Sequence, residues 1–246
     1  MPRLSPPPRA IALAAVLLVL LTACQPRPAS GPESAAVTAH AWPPYDYAAA
    51  TTGGMPVFLL DPERTQIDVV VRRDGPLARF GHDHVISVLD AEGYLLLAEA
   101  QDGSRADLRF AVERLQIDAA DARQRHGLAA GPDAAAIDGT RDNLMQSVLD
   151  PVQWSWVTVS LQAFSHQGDH WSADVVVDIN GQSSRSRQPF KLRREKETVM
   201  VEGLVVLRQT ELGLQPFAAL GGGLRVADPM EVYFYLYGAE RFPIGR

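Results

Sequence analysis

The chain has 246 residues with 23 basic and 29 acidic side chains, which gives a formal net charge of −6 at pH 7. An acidic balance argues against non-specific nucleic-acid binding, because that function needs a basic surface. The chain has a single cysteine, which excludes an intramolecular disulfide, so stability must come from the hydrophobic core and from hydrogen bonds.

The first 23 residues have the pattern of a secretory signal peptide. Arg3 and Arg9 lie in a start without acidic residues, and residues 11–21 form an unbroken apolar run. That run is shorter than the roughly 20 residues of a membrane-spanning helix, and the arrangement is typical of an export signal. The motif LTAC at 21–24 matches a lipobox. We therefore expect cleavage before Cys24 and acylation of that cysteine.

Acylation predicts where the mature protein resides. Each buried methylene of an acyl chain contributes about 0.8 kcal/mol, so several chains on Cys24 would hold the protein to a membrane leaflet. Gln25 follows the cysteine, where an aspartate would favour inner-membrane retention in enterobacteria. The sequence thus predicts a lipoprotein on the periplasmic face of a bacterial membrane, with the outer membrane favoured.

Residues 24–56 are predicted to be the lipidated cysteine and a disordered tether. The segment is rich in Pro, Ala, Ser and Gly and has no hydrophobic periodicity. A flexible coil of this length has a root-mean-square span of roughly 30 Å. We interpret its aromatic side chains as local contacts without a site: His40, Trp42, Tyr45 and Tyr47. Residues 57–241 then form one domain.

Apolar and polar residues alternate along most of that domain. A two-residue period is typical of half-buried antiparallel strands. The alternation covers residues 66–72, 108–113, 157–163, 171–179, 199–207 and 232–237. Turn-forming sequences separate these stretches: Gly75-Pro76, Gln167-Gly168-Asp169, Asn180-Gly181 and Gly221-Gly222-Gly223.

One region breaks the alternation. Residues 118–149 are rich in alanine and are predicted to form a short helix or a pair of helices. About eight strands with one helical excursion predict an all-β fold, an up-and-down antiparallel lipocalin-like barrel, which closes the exposed edges of a sheet. A barrel of about eight strands can hold one small ligand.

Several stretches in this order resemble the YceI-like family. They are LDPERTQID at 60–68, RDNL at 141–144 with LD at 149–150, the strand at 157–164, WSADVVVDING at 171–181 and LRQTELG at 207–213. The resemblance covers nearly all of residues 57–240. It implies a periplasmic lipocalin-like barrel that holds an isoprenoid chain or another long amphiphile. Two departures stand out: Arg73 replaces a histidine at the end of the first strand, and residues 79–86 replace a V-x-G-x-F strand.

A barrel that binds an apolar chain needs a lined tunnel, whereas a ligand-free structural or stress protein needs only a solid core. Each methylene buried in such a tunnel would contribute about 0.8 kcal/mol. Arg141 is expected to make a structural contact near the barrel mouth and, as a second role, to meet an anionic headgroup. The candidate lining residues are Phe110, Val159, Leu161, Val175, Val177, Phe234 and Leu236.

A rival hypothesis is a metal-binding envelope protein. His82 and His84 would stand on the same side of a strand, and paired imidazoles can hold zinc or copper. Two ligands are too few for a strong site, so His126 is the expected third ligand, while His166 and His170 flank a turn and are expected to face solvent. We favour His82 and His84 as hydrogen-bonding or headgroup-contacting residues at the barrel rim.

The sequence favours a binding protein over an enzyme. It has no Gly-x-Ser-x-Gly motif and no paired carboxylates that stand out, and its one thiol is predicted to be acylated. No cofactor is expected beyond a bound lipid, with a divalent metal as the alternative. The leading hypothesis is a cell-envelope lipoprotein whose barrel binds or shields a long amphiphile.

Overall fold

The computed structural model describes residues 42–100 and 103–240. Cys24 and the predicted signal peptide lie outside the described residues. Across the described ranges, no helix is both long and apolar enough to cross a membrane.

Most of the described chain is β-structure, with three short α-helices. The helices are α1 (Tyr47–Thr52), α2 (Ala120–Arg125) and α3 (Ala134–Asn143). The strands are β1 (Val57–Leu60), β2 (Gln66–Asp74), β3 (His84–Val88), β4 (Glu92–Leu96), β5 (Arg105–Ala111), β6 (Leu115–Ile117), β7 (Trp156–Gln167), β8 (His170–Ile179), β9 (Gln182–Glu195), β10 (Thr198–Arg208), β11 (Ala218–Ala219) and β12 (Leu224–Glu240).

Eight strands close into a barrel in chain order. The order is β1, β4, β5, β7, β8, β9, β10 and β12, each antiparallel to the next, and β12 pairs back with β1. Consecutive strands are neighbours in space, so the connections run up and down. The predicted all-β, lipocalin-like barrel of about eight strands is confirmed.

The wall extends beyond this ring where three strands are interrupted and then continue. Strand β12 spans both parts, because Gly238 pairs with β1 while residues 225–235 pair with β2. Strand β3 pairs with β2 on one side and with β6 on the other. Strand β1 therefore continues as β2, β3 continues as β4, and β5 continues as β6, and each of these three pairs acts as one long, bent strand of the barrel wall.

The wall has a seam between β9 and β10. Strand β9 pairs with β8 from Gln182 to Lys191, and β10 pairs with β12 over its whole length. Between themselves, β9 and β10 pair only from Lys191 and Glu202 to the hairpin turn. Their remaining edges therefore face each other without ladder hydrogen bonds.

The predicted helical excursion is confirmed as two helices, α2 and α3, in the connection before β7. Helix α2 packs on the outer face of β2 and β3, where Val70, Val85 and Ala122 are fully buried. Helix α3 continues into a π-helical turn, Leu144–Val148, beside the barrel interior. The excursion therefore covers part of the wall and part of one barrel end.

Residues 42–56, predicted to belong to the tether, are part of the folded domain instead. Tyr47 of α1 is 3% exposed, its ring stacks on Tyr94, and its hydroxyl donates to Asp107 Oδ2 at 2.7 Å. Burial, together with this carboxylate, raises the pKa of Tyr47. The contact that orders α1 joins residues far apart in sequence, so a search for local periodicity does not find it.

Candidate functional site

The barrel contains a cavity of about 510 Å³. Its wall consists of the inward-facing members of the alternating strands, for example Ile67, Val69 and Val71 on β2. All seven residues predicted to line a tunnel are on this wall: Phe110, Val159, Leu161, Val175, Val177, Phe234 and Leu236. Their contact with a ligand stays a prediction.

A hydrophobic cluster fills one end of the barrel, which we call the closed end. Its buried members are Phe58, Leu95, Leu97, Phe164, Ala173, Phe190, Leu192 and Val199. The rings of Phe164 and Phe190 meet edge to face with their centroids 5.9 Å apart, and the void beside this cluster measures only about 80 Å³. Aromatic rings thus occupy the interior here.

The opposite end, which we call the mouth, is formed by loops and by the end of α3. Phe80 lines the cavity although it is 64% exposed, and Leu220 in the loop before β12 is 72% exposed. Leu77 holds the two loops together, since its N–H donates to Gly223 O at 2.8 Å. Exposed apolar side chains at a cavity entrance are a common feature of ligand-binding surfaces.

The charged side chains on the cavity wall lie toward the mouth. They are Arg73 and Arg225; the imidazoles of His82 and His84 lie on the same part of the wall, and no Asp or Glu among the described residues lines the cavity. Sequence reasoning noted Arg73 only as a departure from a family motif and missed Arg225. A signal for Arg73 existed, because it shares the inward parity of Ile67, Val69 and Val71 on β2.

His84 is held by a buried ion pair behind it. Its Nδ1 lies 2.6 Å from Oδ2 of Asp118, which is completely buried and also accepts from Arg123 Nη1 at 2.6 Å and from the N–H of Val85. Burial tends to raise the pKa of Asp118, but these donors outweigh it and keep the pKa below its usual value. The ionised carboxylate can only accept, so Nδ1 of His84 carries a proton.

The structure does not assemble the three-histidine site that the rival metal-binding hypothesis would need. His82 and His84 are neighbours, with ring centroids 6.3 Å apart, but Nε2 of His126 lies 2.9 Å from Asp68 Oδ2 and His126 does not line the cavity. The expectation that His126 supplies a third metal ligand is therefore wrong. Within residues 42–100 and 103–240, no group of three or more His, Cys, Asp or Glu side chains could hold a metal ion. His166 and His170 are exposed beside the β7–β8 turn, as expected.

Asp68 anchors α2 to the barrel wall and was missed by sequence reasoning. The carboxylate is completely buried and accepts from Ser87 Oγ at 2.6 Å, from Arg125 Nη2 at 3.1 Å and from His126. Burial tends to raise the pKa of Asp68, yet these hydrogen bonds lower it overall. Because Asp68 does not line the cavity, its role is structural.

Arg141 makes the structural contact expected of it. Its guanidinium donates to the carbonyl oxygens of Leu115 at 2.8 Å and Glu113 at 2.9 Å, which ties α3 to the strand segment β6. Arg141 does not line the cavity, so its second predicted role, contact with a headgroup, has no geometric support. The arginines that do line the cavity are Arg73 and Arg225.

Comparisons with known proteins identify the fold. The sequence matches no protein-family model and no curated protein. The crystal structure of Burkholderia cenocepacia BcnA superposes with a TM-score of 0.53 at 10% identity, covering 72% of this chain and 98% of that one. Two crystal structures of mutant CJ YCEI protein, one with a monobromobimane guest, give a TM-score of 0.47 at 7% and 8% identity, over 64% of this chain and 85% of theirs. The superposition on BcnA, a YceI-like protein, shows that this chain has the YceI-like fold.

Proposed function

We propose that the protein is a cell-envelope lipoprotein whose barrel binds a long amphiphile, such as an isoprenoid or another lipid. One observation carries this proposal: the cavity of about 510 Å³ has a wall made mainly of Val, Leu, Ile and Phe side chains. Binding sites for small molecules measure about 300–1,000 Å³ and are mainly apolar. A barrel that served only as a scaffold would be expected to fill its interior with side chains, as small barrels do.

Energetics favour an apolar occupant. In engineered cores, each unfilled Å³ destabilises a protein by about 24 cal/mol, so a chain that fills the cavity stabilises the folded state. The apolar part of the ligand lies along Val159, Val175 and Val177 toward the closed end, and its polar end faces the mouth. This orientation follows from the distribution of side chains, because the charged wall residues lie at the mouth and aromatic rings fill the other end.

Acylation of Cys24 would keep the barrel domain beside the membrane that contains its proposed ligand. Cys24→Ser is expected to move the protein from the membrane fraction to the soluble fraction, measured by immunoblotting after cell lysis. Loss of incorporated radiolabelled palmitate in the same variant would link the effect to the acyl chain. Separation of inner and outer membranes tests the expected outer-membrane location. A wild-type protein that stays soluble and unlabelled contradicts this part of the proposal.

Native mass spectrometry tests the binding function. The full chain carrying Cys24→Ser, which has no acyl group of its own, is expected to show an extra lipid mass that disappears on denaturation. Val177→Trp on the cavity wall should abolish that mass. The matched control is Val176→Trp on the next position of β8, which does not line the cavity. Protein without any lipid mass, and without binding when an isoprenoid alcohol is added, contradicts the proposal.

The same sample separates the rival functions. We propose a binding role without catalysis and without a metal cofactor. Stoichiometric zinc or copper that disappears in the double variant His82→Ala and His84→Ala would instead support the metal-binding hypothesis. Protein that takes up neither lipid nor metal would support a ligand-free structural role.

A further inference from the structure

The charged wall residues of the cavity indicate the chemistry of the ligand's polar end. All of them are basic or imidazole side chains, although the chain as a whole is acidic. The remaining polar residues on the wall are neutral: Thr140, Asn143, Ser186, Gln188 and Gln209. Within the described part of the chain, a bound headgroup therefore meets no carboxylate directly.

Arg73 is positioned as a donor at the mouth. It occupies the last inward position of β2 after Val71, and its Nη1 donates to the carbonyl oxygen of Gly81 at 2.7 Å. Asp83 Oδ1 accepts from the backbone N–H of Arg73 at 3.0 Å and forms an ion pair with its Nε at 3.7 Å. Nη2 of Arg73 has no hydrogen-bond partner among the described residues, so the guanidinium is oriented and still has donors to offer.

Arg225 is a second oriented guanidinium. Its Nε donates to Asp74 Oδ2 at 2.8 Å, and the two residues are partners in the β12–β2 ladder. Asp74 does not line the cavity, whereas Arg225 does. The carboxylate thus orients the arginine through its Nε, and neither Nη group has a hydrogen-bond partner in the described part of the chain.

We propose that the amphiphile carries an anionic headgroup, a carboxylate or a phosphate, bound at the mouth by Arg73 and Arg225. This inference rests on the proposed function. A guanidinium recognises both anions through paired N–H donors, and a side chain that is already oriented loses less entropy on binding. A cationic amphiphile would meet two arginines without a carboxylate on the wall to pair with, so the site selects against it.

Ligands that share one tail and differ in headgroup test the inference. Oleate, oleyl phosphate, oleyl alcohol and oleylamine compete with the neutral dye Nile red for the full chain carrying Cys24→Ser. The better of the two anions is expected to bind about tenfold more tightly than the alcohol, a ratio that corresponds to 1.4 kcal/mol, and the amine should bind most weakly. The two anions distinguish a carboxylate site from a phosphate site.

Variants assign the preference to the mouth. Arg73→Gln is expected to reduce the affinity for the better anion about tenfold and to leave the affinity for oleyl alcohol unchanged. Arg79→Gln is the matched control, because Arg79 lies beside Phe80 in the loop that follows β2 and does not line the cavity. Thermal unfolding of both variants is the control that tests whether they fold like the wild type.

The outcomes separate the two proposals. Equal affinities for all four ligands, or an equal response of Arg73→Gln and Arg79→Gln, would overturn the anionic headgroup and leave the binding function in place. If none of the four ligands binds, the binding function fails and the headgroup inference fails with it.

Discussion

The closed end and the mouth are built on the same strands, yet one is filled and the other is hollow. Strand β8 illustrates the difference. Its inward Ala173 is completely buried in the cluster with Phe164 and Phe190, whereas Val175 and Val177, the next inward positions, line the cavity. Alternation is the same at both ends. The size of the inward side chains, and of those facing them across the barrel, decides whether the interior is solid.

A single substitution made at both ends should show this difference in stability. Leu192→Ala at the closed end is expected to lower the free energy of unfolding by about 3–5 kcal/mol, because it opens a void in packed surroundings. Leu207 lines an existing cavity, so Leu207→Ala should lower the free energy of unfolding by only about 1–2 kcal/mol, close to the transfer free energy of the removed atoms alone. Urea denaturation measures both values, and equal losses would show that the two ends are packed alike.

The ion pair behind the mouth is expected to give the next largest effect. Asp118→Asn leaves Arg123 buried without its counter-charge, which should destabilise the protein by about 3 kcal/mol at pH 7. The control is Asp121→Asn, whose carboxylate is exposed, so its loss should have a much smaller effect on stability.

The pH dependence follows from the same carboxylate. A pKa that is lower in the folded than in the unfolded state stabilises the protein above the unfolded pKa of about 3.9, and this contribution is lost as the pH falls through the folded value. Asp118 and Asp68 both have lowered pKa values. Acid unfolding followed by circular dichroism should therefore be less steep below about pH 4 in Asp118→Asn. An unchanged slope contradicts the role of Asp118.

Gly203 tests how closely the wall is packed beside the cavity. A Cβ at this position would lie 2.5 Å from the Phe234 ring, so Gly203→Ala should cost about 1–3 kcal/mol through overpacking. Gly139→Ala in α3 meets no atom within 4 Å and should be neutral or stabilise by up to about 1 kcal/mol. Thermal unfolding of the two variants measures the difference, and a neutral Gly203→Ala would show that Phe234 moves freely into the cavity.

The smallest effect on stability is expected at the mouth itself. Phe80→Ser should change the free energy of unfolding by less than about 0.5 kcal/mol, because the ring is mostly exposed. The rate of amphiphile uptake, followed by stopped-flow fluorescence, should nevertheless fall. Val152→Ser, at a residue that is 94% exposed and away from the cavity wall, is the control. Equal uptake rates would show that the ligand does not pass Phe80.

Local patterns predicted most of the barrel but not all of it. Strands β2, β5, β7, β8, β10 and β12 follow from their alternation. Strand β9 does not, since its inward positions Ser186 and Gln188 are polar and Pro189 interrupts the apolar pattern. These residues lie along the seam, where the edge of β9 that faces β10 has no ladder hydrogen bonds. The alternating apolar pattern of the other strands is absent from this part of β9.

The site was predictable in part. The cavity-lining residues lie on strands with strong alternation, and their common parity placed them on one face. The cations at the mouth were harder to find, because Arg225 follows a glycine-rich loop and has no alternating stretch before it. His126 was placed with the wrong partners, since its contact with Asp68 depends on how α2 packs against β2.

By itself the sequence determined the predicted lipobox at Cys24, the all-β class and the two-residue period of the strands, because these depend on residues close together in the chain. Tertiary structure decided which face of each strand lies inside, since alternation is symmetric and only closure of the sheet distinguishes inside from outside. It also decided that residues 42–56 fold onto the barrel through Tyr47, that aromatic rings fill one end, and that Arg73 and Arg225 both lie on the cavity wall toward the other. Each of these outcomes depends on contacts between distant residues.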